Sequence, residues 1–154
     1  MDEDKRSFKM SAPAYDEQNV FARILRGELP SSKVYEDGDV LVIMDVMPQG
    51  KGHTLVIPKA PSRNLLDIRP DDLRTTILAV QRVARAVQKA FDAPGVLVMQ
   101  FNEPSAGQTV FHTHFHVIPR FDGVPLKAHG GGMADPGELA DQADRINGVL
   151  GELG

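Results

Sequence analysis

The sequence predicts an α+β fold, an antiparallel sheet of about five strands with a long helix and an N-terminal helix packed against one face. Three features carry that prediction. β-rich runs at Lys33–Glu36, Val40–Asp45 and His53–Pro58 follow one another through short polar breaks, the pattern of an antiparallel meander. One later segment, from Asp71 to Phe91, places Leu73, Ile77, Val80, Ala84, Val87 and Phe91 at spacings of 4-3-4-3-4, the stripe of a helix with one face on a sheet. Two more β-rich runs, VLVMQFN and Val110–Pro119, come after it.

Each element has its own local reason. In NVFARILRGELP, Val20, Phe21, Ile24 and Leu25 share a helical face, Gly27 suits the helix end and Pro30 stops it. Asp37-Gly38 is a hairpin signal, and PQGKG separates the second run from the third. Pro70 with Asp71 and Asp72 suits the start of the long helix, whose Arg74, Arg82 and Arg85 form a solvated face. Pro94-Gly95 leads into the fourth strand, and EPSAGQ is a loop. DGVPLKAHGGGMADPG is too rich in glycine for a regular element, and Glu138–Leu150 forms a terminal helix through Leu139, Ile146 and Leu150. The expected organisation is a flexible N-terminal tail (1–17), one folded domain (18–120) and a C-terminal extension (121–154), with Met10 an alternative natural start.

Composition narrows the function classes. A chain of 154 residues is the size of a single core. A net charge of −4 argues against broad nucleic-acid binding. There are no cysteines, hence no disulfide, no thiolate–zinc site and no cysteine nucleophile. No apolar run reaches membrane-spanning length and the N-terminus has no apolar core like a signal peptide's, so the expectation is a cytoplasmic protein with no membrane or nucleic-acid partner.

The chemistry concentrates in FHTHFHVIPR, Phe111–Arg120. On a strand, His112, His114 and His116 point one way at intervals of ~6–7 Å, while Phe111, Thr113, Phe115 and Val117 point the other way. Three core imidazoles in a row are hard to satisfy by hydrogen bonding. A metal could be held by a His-x-His pair with His53, but the outer histidines, ~13 Å apart at the backbone, do not converge on one ion. Nucleophilic attack on phosphorus needs only one neutral, oriented imidazole, and SAGQTV (Ser105–Val110) offers small residues and backbone N–H groups for a phosphate. Phosphoryl or nucleotidyl transfer is therefore preferred over metal binding.

His-x-His-x-His followed by apolar residues resembles the signature of the histidine triad (HIT) family of nucleotide hydrolases and transferases. The resemblance runs through FARILRGELP, KVYEDGDVLVIMD, GHTLVIPK, Asn102, AGQTV and HTHFHVIPR, roughly two-thirds of the chain. It implies a HIT-like fold, a homodimer, a purine-nucleotide substrate and no required cofactor or metal. It also implies that His114 attacks the α-phosphorus to form a nucleotidyl-histidine, which water then hydrolyses. By the same resemblance, His112 orders the phosphate site, His116 holds the tautomer of His114 with help from a backbone acceptor near it that the sequence does not identify, and His53 lies beside the phosphate and leaving group. Asn102, Gly107, Gln108 and Thr109 contact phosphate or leaving group, Asp45 accepts from the ribose hydroxyls, and Phe21, Ile24, Ile43 and Met44 wall the base. His129 matches no family position and is expected in a surface loop.

Some positions depart from the family pattern. Where several relatives carry a zinc-binding Cys-x-x-Cys, this chain has Asn19-Val20-Phe21-Ala22. The triad strand continues into Pro119-Arg120 rather than Gly-Gly, and tryptophan is absent, which leans towards the branch that cleaves dinucleoside polyphosphates over the phosphoramidases. The alternatives are a purine-nucleotide-binding module with little turnover and a histidine metalloprotein.

Overall fold

The computed structural model describes residues 13–128 and 130–153, so His129, Met10 and most of the expected tail lie outside the described residues. Helix α1 (Val20–Leu25) starts at Asn19, whose side-chain oxygen accepts from the Ala22 N–H at 2.9 Å. Gly27, at φ +80°, closes it, donating to the Ile24 carbonyl. Strands β1 (Lys33–Glu36), β2 (Val40–Met44) and β3 (Thr54–Pro58) form the expected meander. The Asp37 carboxylate makes the first turn by accepting from the N–H groups of Asp39 and Val40. Helix α2 (Pro70–Ala90), β4 (Gly95–Met99), β5 (Phe115–Arg120) and α3 (Pro136–Glu152) complete the order, and the sheet runs β1-β2-β3-β5-β4. Every neighbouring pair is antiparallel.

Strand alternation divides this sheet into two unlike faces. Val42 pairs with Val56 and Ile43 with Leu55, and paired residues share a face. Val40, Val42, Met44 and Val56 meet α2 and α3 through Val83, Val87, Ala143 and Ile146 in the main core. Leu41, Ile43, Leu55 and Ile57 meet Phe21 of α1 on the opposite side. The helices were expected on one face; α1 instead covers the other, because β2 and β3, apolar except at Thr54, are buried at every position and need cover on both sides. The C-terminal helix is part of the core, burying Leu139, Ala143, Ile146 and Leu150.

Two further corrections concern phase and length. Helix α2 buries Thr76, Val80, Val83, Ala86, Val87 and Ala90, whereas Ile77 of the expected stripe is 45% exposed. The buried face is rotated towards small residues, which let α2 approach the sheet closely. The last strand begins at Phe115, not Val110. Phe115 pairs with Val56, so two steps further in register Thr113 would face Pro58, which has no N–H for the ladder. The fourth strand likewise ends at Met99, before Asn102.

Candidate functional site

The shortened β5 changes how the histidines are held. His116 lies in the ladder, opposite Leu55 and Met99, and so faces the α1 side. His112 and His114 precede the ladder, where other bonds fix the chain. The Thr113 N–H donates to the Ser62 carbonyl at 2.9 Å, and the Ser62 and Thr113 hydroxyls lie 2.6 Å apart.

Backbone groups have fixed polarity, so they determine where the ring protons sit. His114 Nδ1 is 2.7 Å from the His112 carbonyl, which can only accept. Neutral His114 therefore carries its proton on Nδ1 and its lone pair on Nε2. His112 Nε2 is 2.7 Å from the Pro58 carbonyl and so donates; its Nδ1 accepts from the Tyr15 hydroxyl at 2.6 Å. The Gln49 N–H donates to His53 Nδ1 at 3.0 Å, leaving His53 Nε2–H to donate to His116 Nδ1 at 2.9 Å. Neutral His116 then holds its proton on Nε2. The backbone acceptor expected near His114 is thus the His112 carbonyl, while His116, expected to share that role, packs edge-on to His114 with ring centres 5.0 Å apart.

His114 and His116 border a cleft of about 200 Å³ between α1 and the sheet. Phe21, Ile24, Ile43 and Leu55 form apolar walls, and Asp45, Thr109, His114 and His116 supply polar groups. Phe21 meets His114 edge to face at 4.8 Å. One Asp45 oxygen accepts from the Met47 N–H at 2.8 Å, and the other is 3.4 Å from His53 Nε2. Met44 borders the cleft, but its side chain packs in the main core. Ile43 and Met44 are consecutive on β2, so alternation sends only one of them into the cleft.

The loop between β4 and β5 is knotted by side chains. Gln108 is buried, and all four of its hydrogen-bonding positions are engaged. It donates to the Arg63 and Val110 carbonyls and accepts from Asn64 Nδ2 and the Glu103 N–H. The direct phosphate contact expected of Gln108 is not available in this conformation. Asn102 accepts from the Leu65 N–H and exchanges bonds with Gln100. Gly107, at φ +98°, ends the 3₁₀ turn Pro104–Ala106. Glu103 is held at φ +76°, a costly conformation for a side-chain-bearing residue, by a two-pronged Arg63 pair at 2.7 and 3.0 Å and by Asn64. The Arg63 hydrogen bonds keep the Glu103 carboxyl below the usual carboxylate range.

Leu55, Tyr15 and the Arg63–Glu103 pair were missed in the sequence. Leu55 was legible, since it lies two residues after His53 on one strand. Tyr15 was not: it stands in the polar span read as tail, and no periodicity marks it. Burial pushes the His112 imidazole below its ordinary pKa and the Tyr15 hydroxyl above its own, which suits a neutral ring accepting from an intact phenol.

Among the described residues, Asp45, His53 and His116 bring possible metal-ligating atoms within 4.8 Å of one another. The surrounding donors fit an ion poorly. A neutral His53 bound through Nε2 would need its proton on Nδ1, where it would oppose the Gln49 N–H. His112 has both ring nitrogens engaged elsewhere.

Fold and site define an α+β protein with four neighbouring imidazoles, two of which border an apolar cleft. The HIT domain pattern matches residues 26–123, and the chain belongs to the histidine triad family of nucleotide hydrolases and transferases. A solved HIT-like protein from Bartonella henselae, described as involved in cell-cycle regulation, is 51% identical, spans 88% of this chain and 99% of its own, and superposes with a TM-score of 0.83. Protein hit of Bacillus subtilis is 41% identical over 105 residues, 68% of this chain and 72% of its own length. Adenylylsulfatase HINT3 of Arabidopsis thaliana is 36% identical over 112 residues, 73% of this chain and 57% of its own length. No described helix is long and apolar enough to cross a membrane.

Proposed function

We propose that this protein cleaves purine nucleotides at the α-phosphorus through a nucleotidyl intermediate on His114. The observation that carries the reading is the 2.7 Å bond from His114 Nδ1–H to the His112 carbonyl, which directs the lone pair to Nε2 at the cleft. In the first step Nε2 forms a bond to phosphorus, and the bond from phosphorus to the leaving group breaks with the electron pair leaving. In the second, water attacks the phosphorus and releases one proton to solvent, balancing the proton the leaving group takes up; the N–P bond breaks and Nε2 regains its lone pair. His116, with its proton on Nε2, is suited to donate to a phosphoryl oxygen, and Asp45 to accept from the ribose. Phe21, Ile24 and Ile43 offer apolar walls to the base. Asn102, Gly107, Gln108 and Thr109 shape the loop over the phosphates, Gln108 from within.

The favoured substrates are dinucleoside polyphosphates, on AGQTV and the Pro119-Arg120 ending; the adenylylsulfatase activity named for the plant relative supports adenylyl transfer more generally. No metal is required, so turnover should survive extensive chelation. The working unit is a homodimer formed through β4, an edge strand with Val98 43% exposed, and through the neighbouring Ile77 and Leu78 of α2. A monomer in sedimentation at working concentration would contradict that assembly.

A substrate panel tests the function. Hydrolysis of diadenosine tri- or tetraphosphate should exceed that of an adenosine phosphoramidate, and His114→Ala should abolish both. Nucleotide affinity without hydrolysis above the His114→Ala level would instead mark a binding module.

A further inference from the structure

His114 stands before the β5 ladder, so the sheet does not by itself fix the carbonyl that sets its tautomer. That carbonyl belongs to His112, whose ring is gripped from two sides. Its Nε2–H donates to the Pro58 carbonyl at the end of β3, and its Nδ1 accepts from Tyr15 at 2.6 Å. The Tyr15 hydroxyl in turn accepts from Asn19 Nδ2 at 3.0 Å, and the two rings meet edge-on at 5.8 Å. Asn19 is buried and doubly committed, capping α1 through its oxygen and donating also to the Asp16 carbonyl. A continuous set of bonds therefore runs from α1 through Tyr15 and His112 to the nucleophile. We infer that Tyr15 is a positioning residue: its hydroxyl anchors His112 so that the His112 carbonyl holds the proton of His114 on Nδ1.

The direction of each bond supports this. The phenol donates its single proton to His112, so its oxygen is open to the Asn19 amide. His112 is buried, so loss of the phenol leaves an acceptor nitrogen without its present donor. The ring can then turn or gain a proton, and either change weakens the side-chain part of an anchor that the His112–Thr113 peptide shares with the Thr113 N–H bond to Ser62. A misplaced acceptor lets the His114 proton shift to Nε2, where it blocks attack. Substrate binding is touched less, because Tyr15 does not line the cleft.

The inference rests on the nucleophilic role proposed for His114, but its first readout does not. Long-range ¹⁵N–¹H spectra of the full chain report which ring nitrogen carries the proton. Wild type should show His114 protonated on Nδ1; Tyr15→Phe should show a mixture, with the thermal midpoint retained. With a slow adenylyl substrate, the rate of adduct formation should fall roughly ten- to a hundred-fold, the usual loss when the partner orienting a reacting imidazole is removed. KM should change by less than about threefold, since uniform binding is untouched. Asn19→Ser keeps the helix cap, removes the donor to Tyr15, and should show a smaller shift of the same kind; it replaces Tyr15→Phe if that variant fails to fold. A His114 tautomer and adduct rate unchanged in the folded variant would overturn the inference. If wild type forms no adduct, the proposed function fails, and the tautomer spectra still decide the role of Tyr15.

Discussion

The two faces of one sheet have opposite designs although they share the same strands. Against α2 and α3, Val42, Met44, Val56 and Val117 pack into a core with Val83, Val87 and Ile146. Against the six residues of α1, Ile43, Leu55 and His116 leave a cleft of about 200 Å³ bordered by the His114 and His116 imidazoles. The difference lies in what covers each face. A 21-residue helix and a 17-residue helix span the first, while a helix of under two turns covers only part of the second. Stability is therefore concentrated on one face and chemistry on the other. Adjacent residues on a strand belong to different tasks.

The sharpest contrast is His114→Ala. It should reduce turnover by at least about a thousand-fold, as loss of a nucleophile does, and shift the thermal midpoint by less than about 3 °C, because the ring borders the cleft. Steady-state kinetics and calorimetry on one preparation check both numbers. A second contrast uses neighbours on β2. Val42→Ala removes two methyl groups from the main core and should cost about 2 kcal/mol of stability, read by denaturant unfolding, with KM unchanged. Ile43→Ala also loses stability but should raise KM by about four-fold for each buried methylene the substrate no longer meets. Equal KM values in the two variants would remove the distinction between the faces.

The smallest effect is with pH. Burial depresses the His112 pKa in the folded protein, so below about 6.5 the unfolded chain binds a proton that the folded protein does not. Stability should thus be intact above that pH and decline on acidification towards the folded value, by at most about 1.4 kcal/mol per pH unit from this group. Replacing His112 with Asn should flatten that part of the curve. A curve of the same slope in both proteins would assign the acid sensitivity elsewhere.

The sheet and its helices were legible because repeats of two and of 3.6 residues leave a trace in composition. The Val40–Met44 and Thr54–Pro58 strands and the Pro70–Ala90 helix lie within a few residues of their expected limits. The side on which α1 packs was not legible, since strands apolar on both faces do not say which helix covers which face. The cleft walls Phe21, Ile24 and Ile43 came from family resemblance, as did Met44, which borders the cleft while its side chain packs in the main core. The early end of the triad strand depends on Pro58, a residue far away in sequence whose position opposite Thr113 is set only by register. The Tyr15–His112 bond spans 97 residues and joins two side chains with no shared periodicity, so no local pattern announces it. Gln108 shows the complementary case. Its type suggested a substrate contact, while its four engaged positions give it a place inside the loop.

The central claim, that His114 is an oriented nucleophile, is most directly tested by trapping the intermediate. Wild-type protein quenched during turnover of a slow adenylyl substrate should gain the mass of one adenylyl group, acid-labile and confined to the peptide that contains His114. Turnover without any adduct, or an adduct that persists in His114→Ala, would contradict it.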